Sequence, residues 1–514
     1  CPACNKGFLA AIEHTKVRCV ECAEELDFVL LFQEPNFGVL PDIFVTNPDK
    51  LQWDMIYRPD HHGIFGREIA CCQQCYKGYA TLGKRKCDSC HGNKFEKKEP
   101  EPPRFIVFDE VHQFKGTFGG NTLYLHERLR TMFKRYAMQN LGKDWPVCSI
   151  GSSATVADAQ RFSETFFGLD KNEIEIVPKD DNARNSYYED DATTYARTHL
   201  FVMPYRYRPG STCAKVVGYA QARRIDGIKP EPFSQKFADT GKPLQTLGFV
   251  NSINHAGHLI NSTEKERKYI GGDVTVDGHT TDFDKTQRAG VERMFNMKEL
   301  NVIFATSTLE VGVDFETVNM VIIYGFPFSF NEYVQRIGRG GRGENTLVVT
   351  ICHNWKPIDH YYYVDAKKKI SLQHEWIEPI PISRDNPQLI KNHLIGSLFD
   401  YISSLPDSPD LYNNIRDKML GEFETRSKDM CDPAKEFAPI NSLGLTDKTK
   451  EEYREFLKGI IDGEIQRMKG QVQPVKPYEF FFGFKNSLGE KYRFTNLRGT
   501  EKTVAIETIW EVFQ

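Results

Sequence analysis

Residues 302–314 read VIFATSTLEVGVD, and residues 335–342 read QRIGRGGR. Val302–Thr306 opens the first stretch as a short apolar, β-branched run of the kind that forms a buried strand. Ala305-Thr306-Ser307 then leads from the strand end into Glu310, Gly312 and Asp314. In the second stretch the glycines allow the backbone to approach a ligand closely. Its arginines carry planar donors suited to phosphate oxygens. Taken alone, such an arginine run also fits a solvated basic turn.

Working outward, the same strand–helix rhythm continues on both sides. Strands are expected at Thr246–Val250, Val318–Tyr324 and Leu347–Cys352, with helices at Ile253–Arg267 and near Lys285–Phe295. Further upstream, Phe105–Phe108 and Pro146–Ile150 read as strands, and Ala157–Phe167 as a helix. Leu123–Leu141 carries Leu125, Leu129, Met132 and Tyr136 at helical spacing. This alternation predicts parallel α/β sheets with their sites at the C-terminal ends of strands. Asp109-Glu110 stands at such an end, in the string DEVH (109–112), and Ser153-Ala154-Thr155 stands at the next. Adjacent carboxylates can divide labour, one holding a Mg(II)-bound water and the other activating a water at a γ-phosphate. A lone Asp-Glu after an apolar strand is common, and carries weight only with the other blocks.

Between the two α/β blocks, Lys171–Thr240 is polar and acidic in part, and reads as a connection with insertions. Beyond Pro379, Asp385–Leu405 and Glu451–Met468 look helical, and Tyr478–Ile506 looks like a small β element. A length of 514 residues fits roughly three domains of ordinary size. With 40% hydrophobic and 26% charged residues the chain reads as globular, and wholesale disorder is excluded. The formal charge of −4 gives no global basic signature, so a nucleic-acid surface would have to be local. No run of about 18 apolar residues occurs, which argues against a membrane-spanning helix.

The thirteen cysteines are informative through their spacing. Cys1-x2-Cys4 precedes Cys19-x2-Cys22, and Cys72-x2-Cys75 precedes Cys87-x2-Cys90. Paired hooks of this kind supply the four thiolates of a tetrahedral, structural Zn(II), with no position left for water or substrate. Whether each quartet holds its own ion or the hooks pair crosswise stays open. Cys148, Cys213, Cys352 and Cys431 stand alone and are expected to pack in the interior. Zinc thiolates with unpaired thiols imply a reducing compartment, hence a cytoplasmic protein. The stretch Cys71–Pro100 is locally basic at +4. It is either a nucleic-acid contact or a solvated surface.

In this order DEVH (109–112), SAT (153–155), ATSTLEVGVD (305–314) and QRIGRGGR (335–342) resemble motifs II, III, V and VI of the superfamily 2 helicases and translocases. Thr46-Asn47-Pro48-Asp49, after a strand expected at Ile43–Val45, looks like motif Ib. Phe249-Val250-Asn251-Ser252 looks like motif IV. The resemblance implies an α/β chain with two RecA-like lobes, the first incomplete at its N-terminus, with zinc-ribbon insertions and a mixed α+β C-terminal extension. Lobe 1 would cover 1–170, with Cys4 modules at about 1–30 and 70–100. A connection would cover 171–240, lobe 2 would cover 241–372, and an accessory region 373–514.

ATP, Mg2+ and Zn2+ are the implied cofactors. Asp109 would bind the Mg2+ of MgATP, and Glu110 would orient the hydrolytic water. His112 and Gln335 would link the nucleotide to the lobe interface, with Gly312 and Asp314 beside the nucleotide. Arg339 and Arg342 would act as arginine fingers, supplying the cationic donors that charge developing on the γ-phosphoryl requires. Ser153 and Thr155 would couple hydrolysis to movement. Thr46, Asn47, Asn251, Ser252 and Thr306 would contact the nucleic-acid backbone. The phosphate-binding GxxxxGK[ST] of motif I does not occur. Gly241-Lys242 is followed by Pro243, and Lys236 stands where the earlier glycine would be. Since the chain starts at Cys1 without a methionine, motif I is expected upstream, in a longer protein.

A narrower resemblance lies after motif VI. Asp359-His360-Tyr361-Tyr362-Tyr363, Asp385-Asn386-Pro387-Gln388-Leu389-Ile390 and Asn392-His393-Leu394 look like the helicases accompanied by a DUF1998-type cysteine region. Zinc ribbons within the first lobe, and Phe494-Thr495-Asn496-Leu497-Arg498, resemble most the helicase subunits of the DISARM anti-phage systems. That implies single-stranded or junction DNA as the polymer, and a protein partner in a defence complex, such as a DUF1998-type subunit. The open alternatives are a DNA-repair helicase of the same group, a motor on duplex DNA, and a nucleic-acid-binding scaffold with inactive lobes.

Overall fold

A computed structural model describes residues 9–13, 16–26, 40–57, 59–79, 85–153, 156–177, 197–205, 208–225, 245–270, 274–309, 315, 318–340, 345–371, 376–404, 431–432, 439–469, 491–495 and 501–505. The chain divides into two compact units. Residues 1–152, 163–173 and 381–514 make the first, and residues 153–162 and 174–380 the second.

The first unit opens on an antiparallel ribbon of β1 (Leu9–Glu13), β2 (Lys16–Cys19) and β3 (Glu25–Leu26). Helix α1 (Pro48–Tyr57) follows, capped by Asn47, whose Oδ1 accepts from the Lys50 amide at 2.8 Å. The strand expected at Ile43–Val45 does not form: residues 41–47 are irregular, with Ile43 82% and Val45 89% exposed. Among the described residues these three apolar residues have no strand to pair with, and the Asn-Pro signal starts a helix directly after them. Strand β4 (Ile69–Cys72) then pairs antiparallel with β5 (Gly78–Tyr79) and β6 (Phe95–Lys98).

Strands β7 (Phe105–Phe108) and β8 (Cys148–Gly151) pair in parallel, joined by the long helix α2 (Gly116–Leu141), and α3 (Ala159–Phe167) follows β8. Leu125, Leu129, Met132 and Tyr136 of α2 are buried together with Met55, Phe65 and Trp145, as their spacing predicts. Phe108 ends β7 inside a cage of Phe114, His126, Phe166 and Phe167. The opposite face of β7–β8 is open, with Phe105 and Val107 more than 60% exposed and Ile150 beside them. Cys148, expected inside, is exposed because its register partner is Phe105 on that open face; Cys213, Cys352 and Cys431 are buried as expected.

The second unit is built on one parallel sheet. In chain order it comprises β9 (Arg197–Val202), α4 (Pro209–Ile225), β10 (Gln245–Val250), α5 (Ile253–Ile270), β11 (Val276–His279), α6 (Lys285–Asn296), β12 (Val302–Ala305), β13 (Val318–Tyr324), α7 (Phe330–Ile337), β14 (Thr346–Ile351), α8 (Pro357–Val364) and α9 (Ala366–Ser371). The strand order is β11-β12-β10-β13-β14-β9, with every pairing parallel. Central strands are buried on both faces, which is why they read as continuous apolar runs. Leu247, Phe249, Ile303, Val321 and Ile323 pack against Val291, Phe295, Phe330 and Tyr333 of α6 and α7 on one face. Val250, Phe304, Met320 and Ile322 pack against Cys213, Val217 and Leu259 of α4 and α5 on the other. Residues 197–202 and 209–225, read from the sequence as connection, are the edge strand β9 and the helix α4. An edge strand that carries Arg197, Thr198 and His199 lacks the apolar run that marks its neighbours.

The chain then returns to the first unit as α10 (Pro387–Ser403), α11 (Asp447–Lys469) and an antiparallel hairpin of β15 (Lys491–Thr495) and β16 (Glu501–Ala505). Leu389, Ile390 and Leu394 of α10 and Tyr453 of α11 form one core with Leu123 and Tyr124 of α2. The sequence marks this segment as an accessory region, yet these two helices share a core with α2. No helix among the described residues is long and apolar enough to cross a membrane.

Three buried histidines make the fold sensitive to acid. Burial, with Arg130 nearby, pushes His126 down to about 3. Burial with Lys356 and His255 brings His353 to about 4. Burial and Arg128 hold His393 well below its usual value. The unfolded chain takes up these protons near pH 6.5, whereas the folded chain does not until lower pH. The unfolded state therefore binds more protons between about pH 6.5 and 4, and stability falls as pH drops through that window. Urea midpoints at pH 7.5 and pH 5.0 check this; the expected midpoint is lower at pH 5.0, and equal midpoints would contradict it.

Candidate nucleotide, nucleic-acid and metal sites

The second cysteine quartet comes together. The Sγ atoms of Cys72, Cys75, Cys87 and Cys90 all lie within 4.8 Å of one another, with Cys72–Cys90 at 3.5 Å and Cys75–Cys87 at 3.4 Å. Zn–S bonds of about 2.3 Å in a tetrahedron place the sulfurs about 3.8 Å apart, so the cluster fits a zinc ion. Burial alone would raise the Cys87 thiol, but the Cys90 amide, the Tyr79 hydroxyl and the Ser89 amide outweigh it and bring it to about 5. Tyr79, whose hydroxyl lies 3.2 Å from Cys87 Sγ and accepts from the Asp88 amide, was not legible as part of the site.

Both hooks share one backbone form. In each, the residue after the second cysteine is left-handed (Tyr76 at φ 59°, His91 at φ 60°) and donates its amide to the first cysteine's carbonyl. The first cysteine's amide returns to the carbonyl five residues on, Cys72 to Lys77 and Cys87 to Gly92. Cys19-x2-Cys22 repeats this form: Ala23 has φ 57°, its amide donates to the Cys19 carbonyl, and the Cys19 amide donates to Glu24. The amides of Glu21 and Cys22 point at Cys19 Sγ from 3.4 and 3.5 Å. Cys1 and Cys4, the other half of that quartet, lie outside the described residues.

The acidic pair sits where strand β7 ends. Asp109 Oδ1 accepts from Ser152 Oγ at 2.6 Å and from the Glu110 amide at 3.0 Å. Oδ2 has no protein partner among the described residues, which suits a ligand to a hydrated Mg2+. Glu110 is left-handed at φ 50° and ψ 52°, a strained conformation for a residue with a side chain, and its Oε2 lies 3.2 Å from His112 Nδ1. Thus Asp109, Glu110 and His112 gather at one strand end. Ser152, one residue before the SAT block, ties that end to β8, and its amide donates to the Phe108 carbonyl. Ser153 is exposed, and Thr155 lies outside the described residues. Thr46 is exposed and Asn47 serves as the cap of α1.

In the second unit Asn251, Ser252 and Thr306 stand just past the C-terminal ends of β10 and β12. Asn251, just past β10, donates to the Phe326 carbonyl at 3.1 Å and accepts from Arg336 Nη1 at 2.7 Å. Its amide therefore joins the strand ends to α7, and buried Arg336, which motif spacing did not single out, holds the Asn251 side chain. Ser252 accepts from the His255 amide at the start of α5. Thr306 follows β12, and its buried hydroxyl has no hydrogen-bond partner among the described residues. The neighbouring loop is pinned by His279, whose ring nitrogens meet Thr308 Oγ1 at 2.8 Å and Glu292 Oε1 at 2.9 Å. Gln335 lies in the last turn of α7 and Arg339 just beyond it, both half-buried. A Cβ on Gly340 would meet Thr346 Cγ2 at 2.5 Å and Val321 Cγ2 at 2.8 Å, so this turn lies flat on the sheet only as glycine. Gly312, Asp314 and Arg342 lie outside the described residues.

Comparison with known proteins places these features. Residues 229–344 match the helicase conserved C-terminal domain. The DISARM protein DrmA of Bacillus paralicheniformis is 24% identical to this chain, over 66% of this chain and 32% of its own. The ATP-dependent helicase HRQ1 of Saccharomyces cerevisiae is 21% identical, over 58% of this chain and 25% of its own. The chain thus spans between a quarter and a third of the length of these relatives. Among solved structures, the DUF1998 helicase MrfA bound to DNA and AMPPNP aligns with a TM-score of 0.48 at 20% identity, covering 71% of this chain and 41% of its own. The parallel sheet of the second unit thus contains, between residues 229 and 344, the stretch that is similar to the helicase conserved C-terminal domain.

Proposed function

We propose that the chain is the motor portion of an ATP-dependent DNA helicase or translocase of superfamily 2. The observation that carries this reading is the Asp109–Glu110–His112 group at the end of β7, in a chain whose residues 229–344 match a helicase domain. In this reading Asp109 orients a hydrated Mg2+, and Glu110, held beside His112, takes a proton from the attacking water. Arg339 and Arg342, with Gly312 and Asp314, serve the nucleotide phosphates, and Gln335 relays its state. Ser153 and Thr155 couple hydrolysis to movement. Thr46, Asn47, Ser252 and Thr306 meet the nucleic-acid backbone, and Asn251 shapes that surface through Arg336. Zinc at Cys72, Cys75, Cys87 and Cys90 is structural. The matching form of the Cys19–Cys22 hook supports a second ion held with Cys1 and Cys4.

In the full-length protein, Glu110→Gln is expected to slow DNA-stimulated ATP hydrolysis by about 10²–10⁴-fold, the usual contribution of a general base, while DNA binding persists. Hydrolysis at the unaltered rate would overturn the assignment. The similarity to DrmA supports a role in anti-phage defence. Cells carrying the complete system with Glu110→Gln should then lose their protection in a phage plating assay, and full protection would count against that role.

A further inference from the structure

Strands β13, β14 and β9 are neighbours in one parallel sheet, and each delivers an exposed aromatic just past its C-terminal end. These are Phe328 (81% exposed), Trp355 (48%) and Tyr205 (84%). Because the strands are parallel, this is the edge that also carries Ser252 and Thr306. Exposure of single aromatics is ordinary, so what surrounds each ring decides whether it can serve a ligand.

Trp355 is the best supported of the three. Its ring stacks on His353 with centroids 4.8 Å apart and planes 21° from parallel. His353 is buried and packed against Tyr324 at 4.6 Å, and its amide donates to the buried Asp359 carboxylate. Trp355 therefore rests on a rigid base. Beside it lies an open groove of about 660 Å³, lined by Asn354, Trp355, His360, Tyr361, Val364 and Lys369. The Lys369 ammonium lies 3.8 Å from the Tyr361 ring centre and donates to the Tyr361 carbonyl, which holds that second ring in place. Asn354 Oδ1 is buried, with no hydrogen-bond partner among the described residues. Lys367 and Lys368 stand exposed on the adjoining α9.

We propose that this groove receives a nucleobase of single-stranded nucleic acid. Trp355 and Tyr361 offer stacking faces, and Lys367 and Lys368 attract the flanking phosphates. Flat aromatic rings with adjacent cations are the chemistry that binds single strands without regard to sequence. The inference rests on the nucleic-acid reading above and deepens it. Contacts at Ser252 and Thr306 reach only the backbone and would hold a strand without bases equally well.

The test is fluorescence anisotropy of the full-length protein with two labelled oligomers of equal length, oligo-dT and an abasic strand. The intact protein should bind oligo-dT about ten-fold more tightly, within the range of one base–aromatic stack. Trp355→Ala should erase that advantage and leave abasic binding unchanged, while Trp355→Phe should keep most of it and guards against a folding artefact. Equal binding of the two strands by the intact protein, or parallel weakening of both by Trp355→Ala, would overturn the inference while leaving the helicase reading intact. Binding of neither strand would overturn the nucleic-acid reading itself, and this inference with it.

Discussion

Replacing Arg128 by alanine is expected to destabilise the first unit by about 3–5 kcal/mol, the cost of leaving one member of a buried ion pair alone. Arg128 lies on α2 with its side chain 1% exposed, and it grips Asp400 of α10 through Nε at 2.7 Å and Nη2 at 3.0 Å. Its Nη1 also donates to His393 Nδ1 at 3.3 Å, while His393 Nε2 donates to Asn121 Oδ1 at 3.1 Å. That pattern requires neutral His393, since a proton on Nδ1 would face the guanidinium. Gly396 completes the arrangement: a Cβ there would lie 2.7 Å from Arg128 Cζ. A second pair of bonds, Arg135 to Ser404 Oγ at 2.9 Å and Gln139 to the Ser404 carbonyl at 2.8 Å, ties α2, about two turns further along, to the residue just past α10. Removing Arg128 strands the Asp400 carboxylate, and α10 should loosen from α2. Urea denaturation measures the loss, and proteolysis within 381–404 should speed up. The double change Arg128→Met with Asp400→Leu should recover much of it, because an apolar pair leaves no buried charge unmatched. A single change that costs less than 1 kcal/mol would show that the pair does not hold the helix.

Removal of metal from the Cys72–Cys90 cluster is the second large effect. The three strands β4, β5 and β6 are two to four residues long and bury little apolar area, with Ala70, Tyr79 and Phe95 as the main non-cysteine contributors. So small a core does not hold itself together. Structural zinc is worth about 10–16 kcal/mol to zinc-finger peptides at neutral pH, so here the ion would be the core. Cys87→Ser, or strong chelation, is expected to release zinc and unfold residues 69–98, with amide hydrogens of β4 exchanging at unprotected rates. Retained metal and unchanged protection would refute the assignment. Tyr79→Phe should do less, since it removes one hydroxyl contact to Cys87 and leaves all four thiolates.

Much of this architecture is legible from residues alone, for identifiable reasons. The central strands of the parallel sheet are buried on both faces, so Val318–Tyr324 and Val302–Ala305 are nearly pure apolar runs that admit no other reading. The stripe on α2 is regular because one side of that helix faces a single core. The cysteine hooks are legible because zinc dictates both residue type and spacing. Strand β9 is not, since an edge strand buries one face and tolerates arginine and histidine. The strand expected at Ile43–Val45 marks the opposite limit: apolar content that finds no pairing neighbour among the described residues makes no sheet.

The sequence by itself determined the chemistry available. It set the carboxylates at a strand end, the glycine–arginine turn, the thiolate quartets and the strand–helix rhythm, because each is a local demand on residue type. Tertiary structure alone decided which residues hold those groups in place. Ser152 on Asp109, Asn251 on Arg336, Tyr79 on Cys87 and Arg128 on Asp400 join elements separated along the chain by between 8 and 272 residues. Tertiary structure also decided that α10 and α11 share a core with α2, and that Trp355 lies on a buried histidine beside an open groove. Such pairings leave no periodic trace. Their energy arises only when a buried charge or polar group meets its partner across the fold, and the partner's place in the chain is set by topology, not spacing.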